Sequence, residues 1–130
     1  MAIQTKSVFS RIDKNTDGLR ILATRYRGRR LPKSRYDVWM ASLGPSERLL
    51  KSIQAGRITW RSYQTRYRAE LLGKSEAGAD NPLIRNRGQK FTLRLLKRIS
   101  RRSRITLLCP CDEEATRCHR FILADVIRRI

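Results

Sequence analysis

A chain of 130 residues is long enough for one domain with a real core, and 40% apolar content in amphipathic segments excludes a disordered polymer. Thirty Lys and Arg against 11 Asp and Glu leave a net charge of +19, which draws polyanions, nucleic acid first, with binding that weakens as salt rises. No apolar run approaches a membrane span, no signal-peptide pattern opens the chain, and three cysteines are too odd a number for a secreted disulfide framework, so a cytoplasmic protein with no membrane partner is expected.

In chain order, Ile3 to Phe9 mixes β-branched and apolar residues in loose alternation and predicts a strand. Asn15-Thr16-Asp17-Gly18 is a turn signal, and Leu19 to Tyr26 predicts a second, more buried strand. Arg27 to Lys33 is a basic loop without apolar period. Tyr36 to Leu43 predicts a short helix that turns Trp39 inward. Pro45-Ser46-Glu47 opens a helix that Gly56 closes; Thr59 caps the next, which runs to Leu72 and stops at Gly73. On it Trp60, Tyr63, Tyr67 and Leu71 share one face. Core packing is their expected role, since a base-stacking platform needs exposed rings.

Lys74 to Pro82 predicts a mobile linker, and Arg87 to Arg101 a further helix with Phe91, Leu95 and Ile99 as its inner stripe, widened by Leu96. Arg94, Lys97, Arg98, Arg101, Arg102 and Arg104 make its outer side and tail basic. No carboxylate is interleaved at i,i+4, and like charges at that spacing repel. A polyanionic partner explains this run better than solubility alone, so these six are the candidate nucleic-acid-binding residues.

The apolar run Ile105 to Leu108 predicts a buried strand, and about Arg117 to Arg129 a last helix. Between them lie all three cysteines and the one histidine, in Cys109-Pro110-Cys111 and Cys118-His119-Arg120. The fold expected is a single α/β layered domain over residues 1–130, with a small, mostly parallel or mixed sheet flanked by helices. If the strands at Leu19–Tyr26 and Ile105–Cys109 run parallel, their C-terminal ends open on one edge, where open α/β sheets take ligands. The loop Arg25–Arg30 would then face the turn Cys109–Arg120.

Several chemistries compete for that turn. Helix N-termini and nearby cations lower a thiol pKa, which makes Cys118 a candidate nucleophile with His119 as base and Cys109 as a second candidate thiol. Three thiolates and an imidazole suit zinc, but Cys-x-Cys-x6-Cys-His is an unusual spacing, and no metal is assigned. Cys111 to Arg117 matches Cys-x5-Arg, yet Asp112, Glu113 and Glu114 would repel a phosphate in that cradle. A disulfide is a further alternative. The minimal statement is an anion bound by the helix N–H groups with Arg117 and Arg120, and with Arg25, Arg27 and Arg29 from the facing loop.

Ile3 to Val8, Asp17-Gly18-Leu19-Arg20-Ile21-Leu22, Arg25, Asp37-x-Trp39, Leu43-Gly44-Pro45-Ser46, Trp60-x-x-Tyr63-x-x-x-Tyr67-x-x-Glu70-Leu71, Thr106-Leu107-Leu108-Cys109 and Cys118-His119-Arg120 follow one another in an order that resembles the YeaO-like proteins of the domain of unknown function 488. The resemblance implies a compact α/β fold and a cleft shared by Arg25, Asp37, Trp39, Cys109, Cys118, His119 and Arg120; no activity comes with it. Relatives read Arg-x-Trp-Pro-Arg-Gly after the second strand, where this chain has Arg25-Tyr26-Arg27-Gly28-Arg29-Arg30. The function expected is binding of nucleic acid or another phosphate-bearing polyanion. The alternative is a small cytosolic enzyme whose Cys/His/Arg site acts on a nucleotide or nucleic-acid substrate.

Overall fold

The computed structural model describes residues 2–73 and 88–130. The strands are β1 (Ile3–Ser7), β2 (Leu19–Leu22), β3 (Val38–Trp39) and β4 (Ile105–Cys109); the α-helices are α1 (Glu47–Gln54), α2 (Trp60–Leu72), α3 (Lys90–Ser100) and α4 (His119–Arg129). The sheet is parallel throughout, in the order β1-β4-β2-β3. Of the mostly parallel and mixed sheets expected, the parallel one is realised. The last strand therefore enters between the first two, and all five of its residues are buried. That burial is why Ile105–Leu108 reads as a continuous apolar run instead of alternating.

Side-chain alternation divides the sheet into two faces. Ile3, Ile21, Ala23, Ile105 and Leu107 join the buried residues of all four helices in one core. Val8, Leu22 and Leu108 point the other way and are covered by Leu31 and Tyr36 from the basic loop. The helices thus lie on one face, not on both. Beside the second cluster is a polar network: buried Asp17 accepts from Lys6 at 3.0 Å and Arg20 at 2.5 Å, and Thr106 Oγ donates to the Asp17 carbonyl at 2.6 Å. Gly18 makes this turn feasible. Its φ is +62°, and an added Cβ would fall 2.0 Å from the Arg104 carbonyl oxygen.

The helix ends follow the local signals. Ser46 Oγ accepts from Leu49 N–H and Thr59 Oγ from Ser62 N–H, while Gly73 ends α2 at φ +76°. Tyr63, Tyr67 and Leu71 are buried, and Tyr67 donates its hydroxyl to the Leu43 carbonyl, so the aromatic stripe of α2 is core.

Two expectations are corrected. Tyr36–Leu43 is not a helix. Asp37 N–H and Met40 N–H donate to the Arg20 and Leu22 carbonyls, which makes Val38–Trp39 an edge strand followed by a 3-10 turn at Ala41–Leu43. Trp39 is 43% exposed, with its indole N–H on the Thr24 carbonyl, and Leu43 fills the core instead. Sheet pairing overrides local propensity here. In α3 the inward row is Leu93, Leu96 and Ser100, with Ile99 half-buried beside it, while Phe91 and Leu95 are 77% and 58% exposed. Ser100 lets the helix approach β1 closely enough for its carbonyl to accept Ala2 N–H at 2.9 Å. The linker expected at Lys74–Pro82 lies outside the described residues, as does Arg87 at the start of the helix expected over Arg87–Arg101.

Candidate functional site

The C-terminal end of β4 lies between the ends of its two neighbours. Val8 N–H donates to the Cys109 carbonyl at 2.8 Å, and Ala23 N–H to the Leu108 carbonyl at 3.1 Å. This is the sheet edge at which parallel α/β folds place ligands. Cys109 is in phase with Ile105 and Leu107 and so faces the helices. The loop 110–117 is pinned to β1 through Glu113, whose carboxylate accepts Ser7 N–H at 2.6 Å and Ser10 O–H at 2.5 Å. The chain then returns over the sheet in α4, with extended Cys118 (φ −140°) as its N-cap residue.

This path gathers three thiols. The Sγ atoms of Cys109, Cys111 and Cys118 all lie within 4.8 Å of one another, and those of Cys109 and Cys118 are 2.8 Å apart. Cys109 and Cys118 are buried; Cys111 is half-buried. His119 adjoins the group, Nδ1 being 4.0 Å from Cys118 Sγ. Its Nε2 is 2.5 Å from the Ala23 carbonyl oxygen. A carbonyl only accepts, so Nε2 carries the proton and Nδ1 presents a lone pair toward the thiol side. Tyr67 packs edge-on against the imidazole at 5.8 Å, at the end of a stack that runs from Trp60 through Tyr63.

Beneath the thiols is Arg120, 1% exposed. Nη1 donates to Cys109 Sγ at 3.3 Å and Nη2 to the Asp112 and Glu113 carbonyls at 3.1 and 3.2 Å, while Nε is buried without a partner. Among the described residues no carboxylate stands at ion-pairing distance from it. Bringing a guanidinium into the interior without an anion costs several kcal/mol, on the order of the penalty for any unpaired buried ion. A thiolate in this pocket answers that need.

The electrostatics place the thiolate on Cys111. The neighbouring thiols of Cys109 and Cys118 hold its pKa well below the ordinary thiol range, against its partial burial, with the Arg120 charge adding to the effect. In return Cys111 and burial push the Cys109 thiol up, and Cys109 and Cys111 push Cys118 up. Burial holds His119 below its usual value, so the imidazole is neutral.

Of the residues expected in the site, Cys109, Cys118, His119 and Arg120 are brought together. Arg120 is not an outward anion ligand, because its donors are taken up by the loop and Cys109. The carbonyls of Cys111, Asp112 and Glu113 turn toward Arg120 and not toward Arg117, the arginine of the Cys-x5-Arg match. Arg117 is exposed on the loop. Arg25 donates to the Pro45 and Gly44 carbonyls at 3.0 and 3.2 Å; Arg27 bonds the Tyr36 hydroxyl and the Leu31 carbonyl; Arg29 is exposed. Among the described residues none of these three hydrogen-bonds to the thiol pocket. The β2 end reaches the pocket through Ala23, while Arg25 ties to the turn before α1 and Arg27 braces its own loop. Asp37, just before the edge strand, accepts Arg20 N–H at 2.8 Å, and Trp39 lies in that strand. Cys111 figures in the zinc and Cys-x5-Arg readings of the sequence but not among the candidate catalytic thiols, Cys109 and Cys118.

A second surface carries the α3 cations. Arg94, Arg98, Arg101, Arg102 and Arg104 are exposed, whereas Lys97 is half-buried and donates to the Arg128 carbonyl at 3.1 Å, closing the end of α4. Phe91, Arg94, Leu95, Arg98 and Arg101 line a groove of about 440 Å³ that ends at Ile130.

Fold and pocket define a parallel α/β domain with a thiol–imidazole–guanidinium cluster at the strand ends. The chain belongs to the DUF488 family: the family model described as "Active DUF488-N3 subclade" matches residues 3–130. Searches of curated proteins and of solved structures returned no match. No helix among the described residues is long and apolar enough to cross a membrane.

Proposed function

We propose that this protein binds single-stranded nucleic acid along the outer face of α3. One observation carries the reading: an exposed aromatic ring, Phe91, lines a groove together with Arg94, Arg98 and Arg101, beside Leu95, Lys97 and Ile130. Among the described residues these cations enter no ion pair; the carboxylates in ion pairs are Asp17, Glu47 and Asp125, bound to cations elsewhere. Base faces stack on such a ring for about 1–3 kcal/mol each, and phosphates meet the guanidiniums. A duplex keeps its base faces covered, so the groove favours a single strand. The net charge of +19 adds long-range attraction.

Fluorescence anisotropy with a labelled 12-nucleotide strand tests this. With three or four phosphates neutralised, affinity should fall about 20- to 50-fold between 50 and 200 mM salt. Phe91→Ala should weaken binding roughly 5- to 100-fold with little change in salt slope, and Arg98→Gln should flatten the slope. No binding at 50 mM salt, or equal affinity for duplex and single strand, overturns the reading.

A second reading is favoured by the buried guanidinium of Arg120. It makes the thiol pocket a reactive centre, with the half-exposed Cys111 thiolate as nucleophile toward a nucleotide or nucleic-acid substrate. The word "active" in the description of the matching subclade agrees with it. The same donors suit zinc. Three unbridged thiols fit the reducing cytoplasm.

A further inference from the structure

We infer that Cys109, Cys111 and Cys118 form a binding site for one thiophilic divalent metal ion, of which zinc is the type, with His119 Nδ1 as the nearest fourth donor. The inference is independent of the nucleic-acid groove and shares with the second reading only the thiolate character of the pocket.

Separation comes first. Four ligands at zinc–sulfur distances of about 2.3 Å stand roughly 3.8 Å apart at the corners of a tetrahedron. The three Sγ atoms, 2.8 Å apart at the closest pair and within 4.8 Å throughout, bracket that value. His119 supplies the second observation. A metal-bound imidazole donates its other N–H to a carbonyl or carboxylate, which fixes the tautomer. Here Nε2–H already lies on the Ala23 carbonyl, leaving the Nδ1 lone pair 4.0 Å from Cys118 Sγ.

Charge supplies the third. Three thiolates around a divalent ion leave one negative charge, and the one formal charge buried against the cluster is the positive Arg120. Its Nη1–H lies 3.3 Å from Cys109 Sγ, as an outer-shell donor to a bound thiolate would. Donor use separates a metal from a disulfide. A Cys109–Cys118 bridge takes up two of the three thiols and leaves Cys111 as the one thiolate facing Arg120. The metal-bound state satisfies all three cysteines.

The test uses the full-length protein, reduced and freed of metal, titrated with cobalt(II). One equivalent should produce thiolate-to-cobalt charge-transfer absorption and the strong visible bands of a tetrahedral site, and zinc should bleach them. Loss of a ligand exceeds the roughly 10- to 100-fold cost of losing an outer-shell partner, so Cys111→Ser should bind at least about 100-fold more weakly. Cys111 is only half-buried, so this variant should keep the wild-type circular dichroism; His119→Gln, read by the visible bands, gives a second probe of the donor set. No charge-transfer band with excess cobalt, or an undiminished band in Cys111→Ser, overturns the inference. Alkylation of the metal-free protein separates the two ideas. Selective labelling of Cys111 without cobalt binding defeats the metal site and leaves the second reading standing.

Discussion

Arg120 shows how much one side chain holds at this sheet edge. Its guanidinium joins the end of β4, through Cys109, to the loop carbonyls of Cys111, Asp112 and Glu113. Arg120→Met keeps the stem but leaves those carbonyls without donors, each at about 1–3 kcal/mol when buried. The expected loss is about 3 kcal/mol in urea denaturation. Iodoacetamide should also alkylate Cys111 more slowly at pH 6 than in the wild type, because the thiolate loses its cation. An unchanged rate with unchanged stability would show that the guanidinium neither braces the loop nor stabilises the anion. Sequence reasoning found the Cys118-His119-Arg120 triplet and expected Arg120 to reach an outside anion, whereas it turns inward to Cys109 and the loop carbonyls. Adjacent helix residues diverge by about 100°, but Cys118 is the extended N-cap residue and not part of the first turn, so it can turn to Cys109 while His119 turns to Ala23.

At the level of elements, α3 carries two apolar rows, and local periodicity does not say which one faces in. Phe91 and Leu95 form one; Leu93, Leu96 and Ser100 form the other and meet the core. The choice follows from small Ser100 and from the close approach to β1. Leu93→Ala should therefore destabilise by about 2–5 kcal/mol. Leu95→Ala should stay within about 0.5 kcal/mol. Thermal and urea unfolding of the pair check this, and a reversed order would mean that the helix is rolled the other way. By contrast α1 and α2 were legible to their ends, because Ser46, Thr59 and Gly73 satisfy helix-terminal groups locally. The edge strand Val38–Trp39 was not legible. Two residues carry no period, and their structure comes from pairing with β2.

For the molecule as a whole, three buried or pinned groups, with the Cys111 thiolate, set the response to acid. Burial pushes Asp17 up, but Asp13 N–H, Lys6 and Arg20 outweigh it and hold the carboxyl below 3.8. Burial likewise raises Glu113, and Ser10 and Ser7 hold it below 4.5. Burial first, with the Arg120 charge beside it, holds His119 below 6.5 against the Ala23 carbonyl and Cys111. A depressed folded-state pKa contributes stability above the unfolded value and loses it as pH falls through the folded one. The Cys111 thiolate should already lower the melting temperature as pH drops below the unfolded thiol range of about 8.5, and the decline should steepen as His119 titrates and again below about pH 4 with the carboxylates. Added salt should soften the decline, since acid only adds to a chain already at +19. A melting temperature that rises between pH 7 and pH 5 would contradict the assignment of His119 as a half-buried, neutral imidazole.

What the amino-acid order determined by itself is whatever short-range physics decides. The helix caps, the fully buried strand before Cys109, the α/β class, the family and the polyanion-attracting charge were all legible, because each is written in neighbouring residues or in composition. The tertiary structure decided which distant groups meet. Inserting β4 between β1 and β2 puts Cys109 where the returning helix brings Cys118, His119 and Arg120, and where the loop through Glu113 folds Cys111 back. The Arg25–Arg30 loop, expected opposite those thiols, instead spends the donors of Arg25 and Arg27 on carbonyls and a hydroxyl nearby. Strand order and the satisfaction of buried polar groups are properties of the whole chain, and no local period encodes them.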